Sequence, residues 1–264
     1  MDSPQGAAVS AVDFGLKGPR GWAFRGVDFA AEPGTLVAIE GPSGSGRTCL
    51  LLALTGRMRA TQGHAEVAGL RLPGRRAAAV RRISALGPVP GVSELDPAFT
   101  VGEHLRERVL LQRRFDGSLR SLLRPRAART AMARATIDAA LDAAGLDLTD
   151  LPKAERTSVR DLERLEAMRL SAALALMGGP RLLAVDDTDL KLSAADRAEA
   201  WKLLRTLADR GTTVLAVCSE APEDTLTVRT GTRADASVAD GDPTADDMTT
   251  EEKRADASAE TGRA

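Results

Sequence analysis

LVAIEGPSGSGRTCLLLALTG, residues 36–56, is the stretch whose reading decides the fold. The short apolar run Leu36 to Ile39 reads as a strand and breaks into the glycine-rich Gly41-Pro42-Ser43-Gly44-Ser45-Gly46-Arg47-Thr48. A leucine-rich segment follows without Pro or Gly until Gly56, which predicts a helix. Strand, glycine loop and helix in that order make a phosphate-binding device. Successive backbone N–H groups must converge on an anion, and a Cβ at Gly41, Gly44 or Gly46 would obstruct either the turn or the approach of phosphate. The next helix then directs its positive end at the same anion. The loop satisfies G-x-x-x-x-G-K-[ST] at every defined position but one, since Arg47 stands where lysine is expected.

Outward from that loop, Val9 to Phe14 and Ala23 to Ala30 read as short strands around the turn-rich GLKGPRG, and Glu32-Pro33-Gly34 is a tight turn into the loop strand. Residues 63–72, GHAEVAGLRL, alternate apolar and polar as a half-exposed strand does. Together they predict a β layer beside the nucleotide-binding core. Arg75 to Arg82 is a basic run of the kind found on solvated helix faces. From about residue 100 to 165 the pattern is mainly helical, interrupted near Pro125, and is expected to form a helical subdomain. Ser158 to Leu176 reads as another helix, stopped by Gly178-Gly179-Pro180. Then RLLAVDDTD runs four apolar residues, Leu182 to Val185, straight into Asp186 and Asp187. An apolar strand ending in paired carboxylates suits a magnesium–phosphate site: the first acid can hold the metal or its water, and the second can orient an attacking water. Ala194 to Leu207 reads as a helix and Thr212 to Cys218 as a buried strand. Strands alternating with helices predict an α/β fold with a largely parallel sheet covered on both faces.

With 36 basic against 37 acidic residues, bulk charge gives no argument for nucleic acid as a partner. Cys49 and Cys218 lie in apolar surroundings and read as reduced core thiols of a cytosolic protein. No run of about 18 apolar residues is present, so membrane attachment is expected only through a partner. Residues 231–264 carry nine acids against four bases and almost no large apolar residue, so a disordered acidic tail is expected after a domain spanning 1–230.

The order of these elements resembles the ATP-binding subunit of ABC transporters, P-loop NTPases whose mostly parallel sheet carries an antiparallel β layer and a helical insert. The resemblance covers roughly Val9 to Ser219. It implies ATP and Mg2+ as ligands, with Gly41 to Thr48 as Walker A, Thr48 and Asp186 holding the metal, Asp187 in the place of the catalytic Glu, and Phe14, or else Trp22, stacking on adenine. It also implies a transmembrane permease as partner, a homo- or heterodimer with another ATP-binding subunit, and a place at the inner face of the membrane. Other motifs depart from the family. The signature Leu-Ser-Gly-Gly-Gln falls on Leu162, Glu163, Arg164, Leu165 and Glu166, the switch histidine on Ser219, and the Q-loop glutamine near Gly87 or Pro88; the D-loop reads TDLKLS. Carboxylates set against a γ-phosphate oppose its binding. Arginine is longer than lysine and forked. Two readings follow: a transport ATP-binding subunit with weak or absent hydrolysis, and a silent pseudo-ATPase acting as a regulatory or scaffolding partner. A P-loop small-molecule kinase is a third, more distant reading.

Overall fold

The computed structural model describes residues 6–115 and 125–231. The acidic segment read from the sequence lies, but for Gly231, outside them. Among the described residues nine strands form two sheets. One is antiparallel, in the order β2 (Gly21–Ala31), β1 (Val9–Gly18), β4 (Gln62–Val67), β5 (Leu70–Leu72). The other is parallel, in the order β6 (Ser84–Leu86), β7 (Leu182–Val185), β8 (Thr213–Cys218), β3 (Leu36–Glu40), β9 (Leu226–Arg229). The helices are α1 (Arg47–Leu54), α2 (Ala77–Ile83), α3 (Val101–Phe115), α4 (Arg126–Ala144), α5 (Arg164–Leu176) and α6 (Ala194–Asp209).

The three central strands of the parallel sheet, β7, β8 and β3, are short and apolar because both faces are covered. Strand period 2 divides their side chains between two cores. Val37 and Ile39, Leu182 and Ala184, and Leu215 and Val217 face the antiparallel sheet and α1. Leu36 and Ala38, Leu183 and Val185, and Val214 and Ala216 face α3 to α6. A slip of one residue in any of these strands would exchange the two sets, so the register is fixed from both sides. Helix α1 sits between the sheets, which is why Leu50 to Leu54 are all buried and the helix needs no polar face.

Several elements differ from the sequence expectation. The first two strands are longer and form one bulged hairpin. The predicted strand at 63–72 is itself a hairpin, turning at Ala68 and Gly69, both at positive φ. Helix α5 starts at Arg164 rather than Ser158. A single 3-10 turn, Val159–Asp161, precedes it, and Glu163 with Glu166 then forms a capping box that sets the start. Strand β9 was not anticipated: of its residues only Val228 is buried, so LTVR lacks the apolar run that marks the other parallel strands.

Candidate functional site: the phosphate loop and its acids

The side chains of the cleft come from the carboxyl ends of β3, β7, β8 and β9 and from the first turn of α1; β3, β8 and β9 end level with one another, and β7 stops two residues earlier. Leaving β3, the chain turns through Gly44 (φ 82°) and Gly46 (φ 85°), left-handed conformations that glycine adopts freely. Gly46 is also the N-cap of α1 and offers no side chain, so the first amides of the helix are not capped from within the loop. An alanine Cβ there would lie 2.0 Å from the carbonyl oxygen of Ala23 in β2, so the loop is pressed against the hairpin.

Asp186, at the end of β7, is 2% exposed. The Thr48 hydroxyl donates to its Oδ2 at 2.7 Å and the Asp187 amide to its Oδ1 at 2.9 Å. Burial pushes the Asp186 pKa above its ordinary value, and the bonds from Thr48 and Asp187 oppose that rise. A neutral hydroxyl beside one carboxylate is a hard-oxygen donor set. It fits Mg2+, which takes one or two protein oxygens and leaves the rest of its shell to phosphate and water. Among the described residues no group of three or more His, Cys, Asp or Glu side chains is placed to hold a metal ion.

Asp187 adopts a left-handed backbone (φ 49°), a conformation that costs about 1–3 kcal/mol in a residue with a Cβ. With Ser43, Arg47, Ser219 and Arg229 it lines an open cleft of about 680 Å3 over Gly41. Ser219 is held there by Asp189, whose Oδ2 accepts the amides of Ser219 at 2.8 Å and Glu220 at 3.4 Å. Arg47 turns its guanidinium to the carbonyl of Cys218, which it reaches at 2.5 Å. Arg229 pairs with Glu40 at 3.1 Å. Gly87 and Pro88 come beside Asp186 through the backbone alone: the Pro88 carbonyl accepts the Asp186 amide at 2.9 Å.

The loop residues Gly41 to Thr48 and the acids Asp186 and Asp187 are thus brought together. Phe14 is not brought to the cleft. It is fully buried, its ring centroid 5.7 Å from that of Phe24 inside the core between the sheets, so it presents no face to a base and the stacking expectation is corrected. Trp22 lies under Lys17, whose ammonium sits 5.4 Å from the ring centroid. Cys218 is buried and its thiol is pushed up to about 12, mainly by desolvation; Cys49 is half-buried rather than a core residue. The signature position is a helix end already occupied by its own acids. The Glu163 carboxylate takes the backbone N–H of Glu166, and the Glu166 carboxylate takes the Glu163 N–H at 2.8 Å. Arg229, Asp189 and Thr230 escaped the sequence reading. Asp189 stands in plain view three residues after Asp186, but its partners are 30 residues away.

Residues 24–189 match the family model described as ABC transporter. The Nod factor export ATP-binding protein I of Burkholderia thailandensis is 33% identical over 72% of this chain and 55% of its own length. That of Neorhizobium galegae is 30% identical over 82% of this chain and 57% of its own. The chain therefore spans little more than half the length of these relatives. Among solved structures, a dimeric bacterial ABC transporter cassette superposes with a TM-score of 0.64 at 20% identity, covering 84% of this chain and 95% of that one. A dimeric ATP-binding cassette in a post-hydrolysis state with ADP and Pi gives 0.60 at 21%, covering 80% and 88%. The loop and acidic strand fall inside the matched segment, which takes in well over half of the sequence: the chain belongs to the ABC transporter family.

Proposed function

We propose that this chain is the ATP-binding subunit of an ABC-type membrane transport system, that it binds Mg-ATP at the phosphate loop, and that it hydrolyses ATP slowly or not at all. The observation that carries the reading is the 2.7 Å contact of Thr48 with Asp186 at the mouth of an uncapped helix. The loop amides and the α1 N-terminus bind the phosphates, Thr48 and Asp186 hold the metal, and Asp187 is the group placed to orient water. When bound, Mg2+ supplies neutralisation of phosphate charge. Titration calorimetry tests this. Wild-type protein takes up ATP at millimolar concentration or below, more tightly with Mg2+, and Asp186→Ala removes the Mg2+ enhancement. Arg47→Lys, too short to hold the Cys218 carbonyl in the same way, tightens ATP binding. No uptake by either wild type or Arg47→Lys would overturn the reading.

Acid weakens the metal-dependent part of binding. The folded protein holds the Asp186 proton at a higher pH than the unfolded chain, whose value is near 3.8. The bare protein therefore loses that group's share of stability as pH rises through the shifted pKa. Mg2+ needs the ionised carboxylate, so its contribution to ATP affinity fades on acidification at a pH above the ordinary aspartate range. A pH series of calorimetry with Asp186→Ala as the blank measures it.

Slow hydrolysis, and with it the pseudo-ATPase reading, is favoured by the capping box at Glu163 and Glu166. A helix end that already holds two carboxylates repels a third anion. The permease has a separate face to meet. A groove of about 510 Å3 between α3, α5 and the β6 edge is lined by Arg81, Arg82 and Arg108 beside the apolar Val92, Leu95 and Leu111. It shares Ser93, Glu94, Leu95 and Ser171 with a smaller cavity that reaches Asp186 and Asp187, so a partner seated there would touch the walls of the acid site. No helix among the described residues is long and apolar enough to cross a membrane; in this reading the partner seated in the groove supplies the attachment. The double variant Arg82→Glu, Leu111→Glu moves the chain from the membrane to the soluble fraction of its host while leaving ATP binding within about twofold. Retention at the membrane would place the contact elsewhere.

A further inference from the structure

Thr230 is the residue immediately after β9, 185 positions from Ser45 and outside every motif of the phosphate loop. It is 5% exposed, and its Oγ1 lies 2.6 Å from Oγ of Ser45, itself 2% exposed. The same Thr230 hydroxyl donates to the Glu40 carbonyl at 3.3 Å, and the Thr230 amide donates to that carbonyl at 2.9 Å. The proton order follows: the Ser45 hydroxyl donates to Thr230 Oγ1, which in turn donates to the last carbonyl of β3. Gly41 lies beneath this chain. A Cβ on it would stand 2.5 Å from Thr230 Oγ1, 2.6 Å from Ser45 Oγ and 2.9 Å from the Thr230 carbonyl oxygen. The first glycine of the loop is therefore needed for contact with two hydroxyls as well as for approach of an anion.

The place of the anchor gives it a role. Ser45 is flanked by Gly44 and Gly46, the two left-handed glycines, and glycine is the residue that resists ordering most. The amides meant to converge on phosphate are thus carried by the most mobile kind of backbone, and the one buried side chain between them is tied to a different strand. Arg229, next to Thr230, pairs with Glu40 and fixes β9 against β3 at the same level.

We propose that Thr230 is a positioning residue of the nucleotide site, holding the loop amides in their binding arrangement through Ser45 before any ligand arrives. The inference rests on the nucleotide reading above. It is distinct from a packing role, because threonine and valine have nearly the same shape while only threonine can accept from Ser45 and donate to Glu40.

The test is a double-mutant cycle on MgATP affinity by calorimetry, with thermal unfolding as the control. Thr230→Val and Ser45→Ala each weaken binding about tenfold, the double variant is no weaker than either single one, and Thr230→Ser restores affinity to within about twofold of wild type. Equal affinity of wild type and Thr230→Val, or losses that simply add in the double variant, overturn the inference while the nucleotide reading stands. Wild-type protein that takes no ATP at millimolar concentration overturns both. Should Thr230→Val fail to fold, Ser45→Ala against wild type carries the same comparison from the loop side.

Discussion

Gly46→Ala abolishes ATP binding and lowers the free energy of unfolding by about 3 kcal/mol or more, whereas Gly44→Ala, two residues away, costs only about 1–2 kcal/mol. Both glycines have nearly the same left-handed φ, 85° and 82°, so the conformational penalty of a Cβ is shared. They differ in what the Cβ meets. At Gly44 nothing lies within 4 Å. At Gly46 the new atom would stand 2.0 Å from the carbonyl oxygen and 2.6 Å from the carbonyl carbon of Ala23, and 3.3 Å from Cβ of Phe24. Those are mainly backbone atoms of β2, a strand hydrogen-bonded along β1, and they cannot swing aside as the end of a long side chain can. Relief requires prising the antiparallel sheet from α1, which exposes the core that Phe14, Phe24 and Leu50 to Leu54 share. Urea unfolding of the two variants separates the terms. If Gly46→Ala proves as stable as Gly44→Ala, the close seating of the hairpin on the phosphate loop is wrong.

That comparison also marks what a sequence can display. The phosphate loop was legible because its chemistry is local: strand, glycines and helix are consecutive, and each glycine answers to a need of its immediate neighbours. The acidic strand was legible for the same reason, four apolar residues ending in Asp186. Contacts that join distant segments leave a much fainter trace. Phe14 sits on β1 as an aromatic near a nucleotide loop should, yet the bulges of the hairpin, invisible in VSAVDFGLKG, turn its ring into the core. The Thr230 hydroxyl acts on Ser45, 185 positions away, from the end of a strand too short and too exposed to register as one, and the Asp189 carboxylate acts on the Ser219 amide 30 positions further along the chain. The start of α5 at Arg164, six residues beyond Ser158, is set by Glu163 and Glu166, which a sequence displays only as two charges. In the fold they are first of all partners to each other's backbone.

That last contact carries the second large effect. Restoring the family signature and acid together, with Glu163→Ser, Arg164→Gly, Leu165→Gly, Glu166→Gln and Asp187→Glu, raises ATP turnover about a hundredfold or more, the amount typically lost when one well-placed transition-state donor is removed. At present the α5 N-terminus gives the amides of Glu166 and of its cap Glu163 to two carboxylates of its own chain, so an anion brought to it meets negative charge where it needs donors. Serine in place of Glu163 still caps the helix while removing the charge, and the two glycines take the side chains of Arg164 and Leu165 away from the first turn. The exchange has a structural cost. Losing the reciprocal box and placing glycine in the first turn lowers stability by about 1–3 kcal/mol, so the faster enzyme should also be the one that melts earlier. Phosphate release measured at high protein concentration, with Asp186→Ala in the same background as the blank, reads the rate. Turnover unchanged from wild type would point to Arg47 and Ser219, which line the cleft with Asp187, and would mean that the acids of α5 are there for the helix alone.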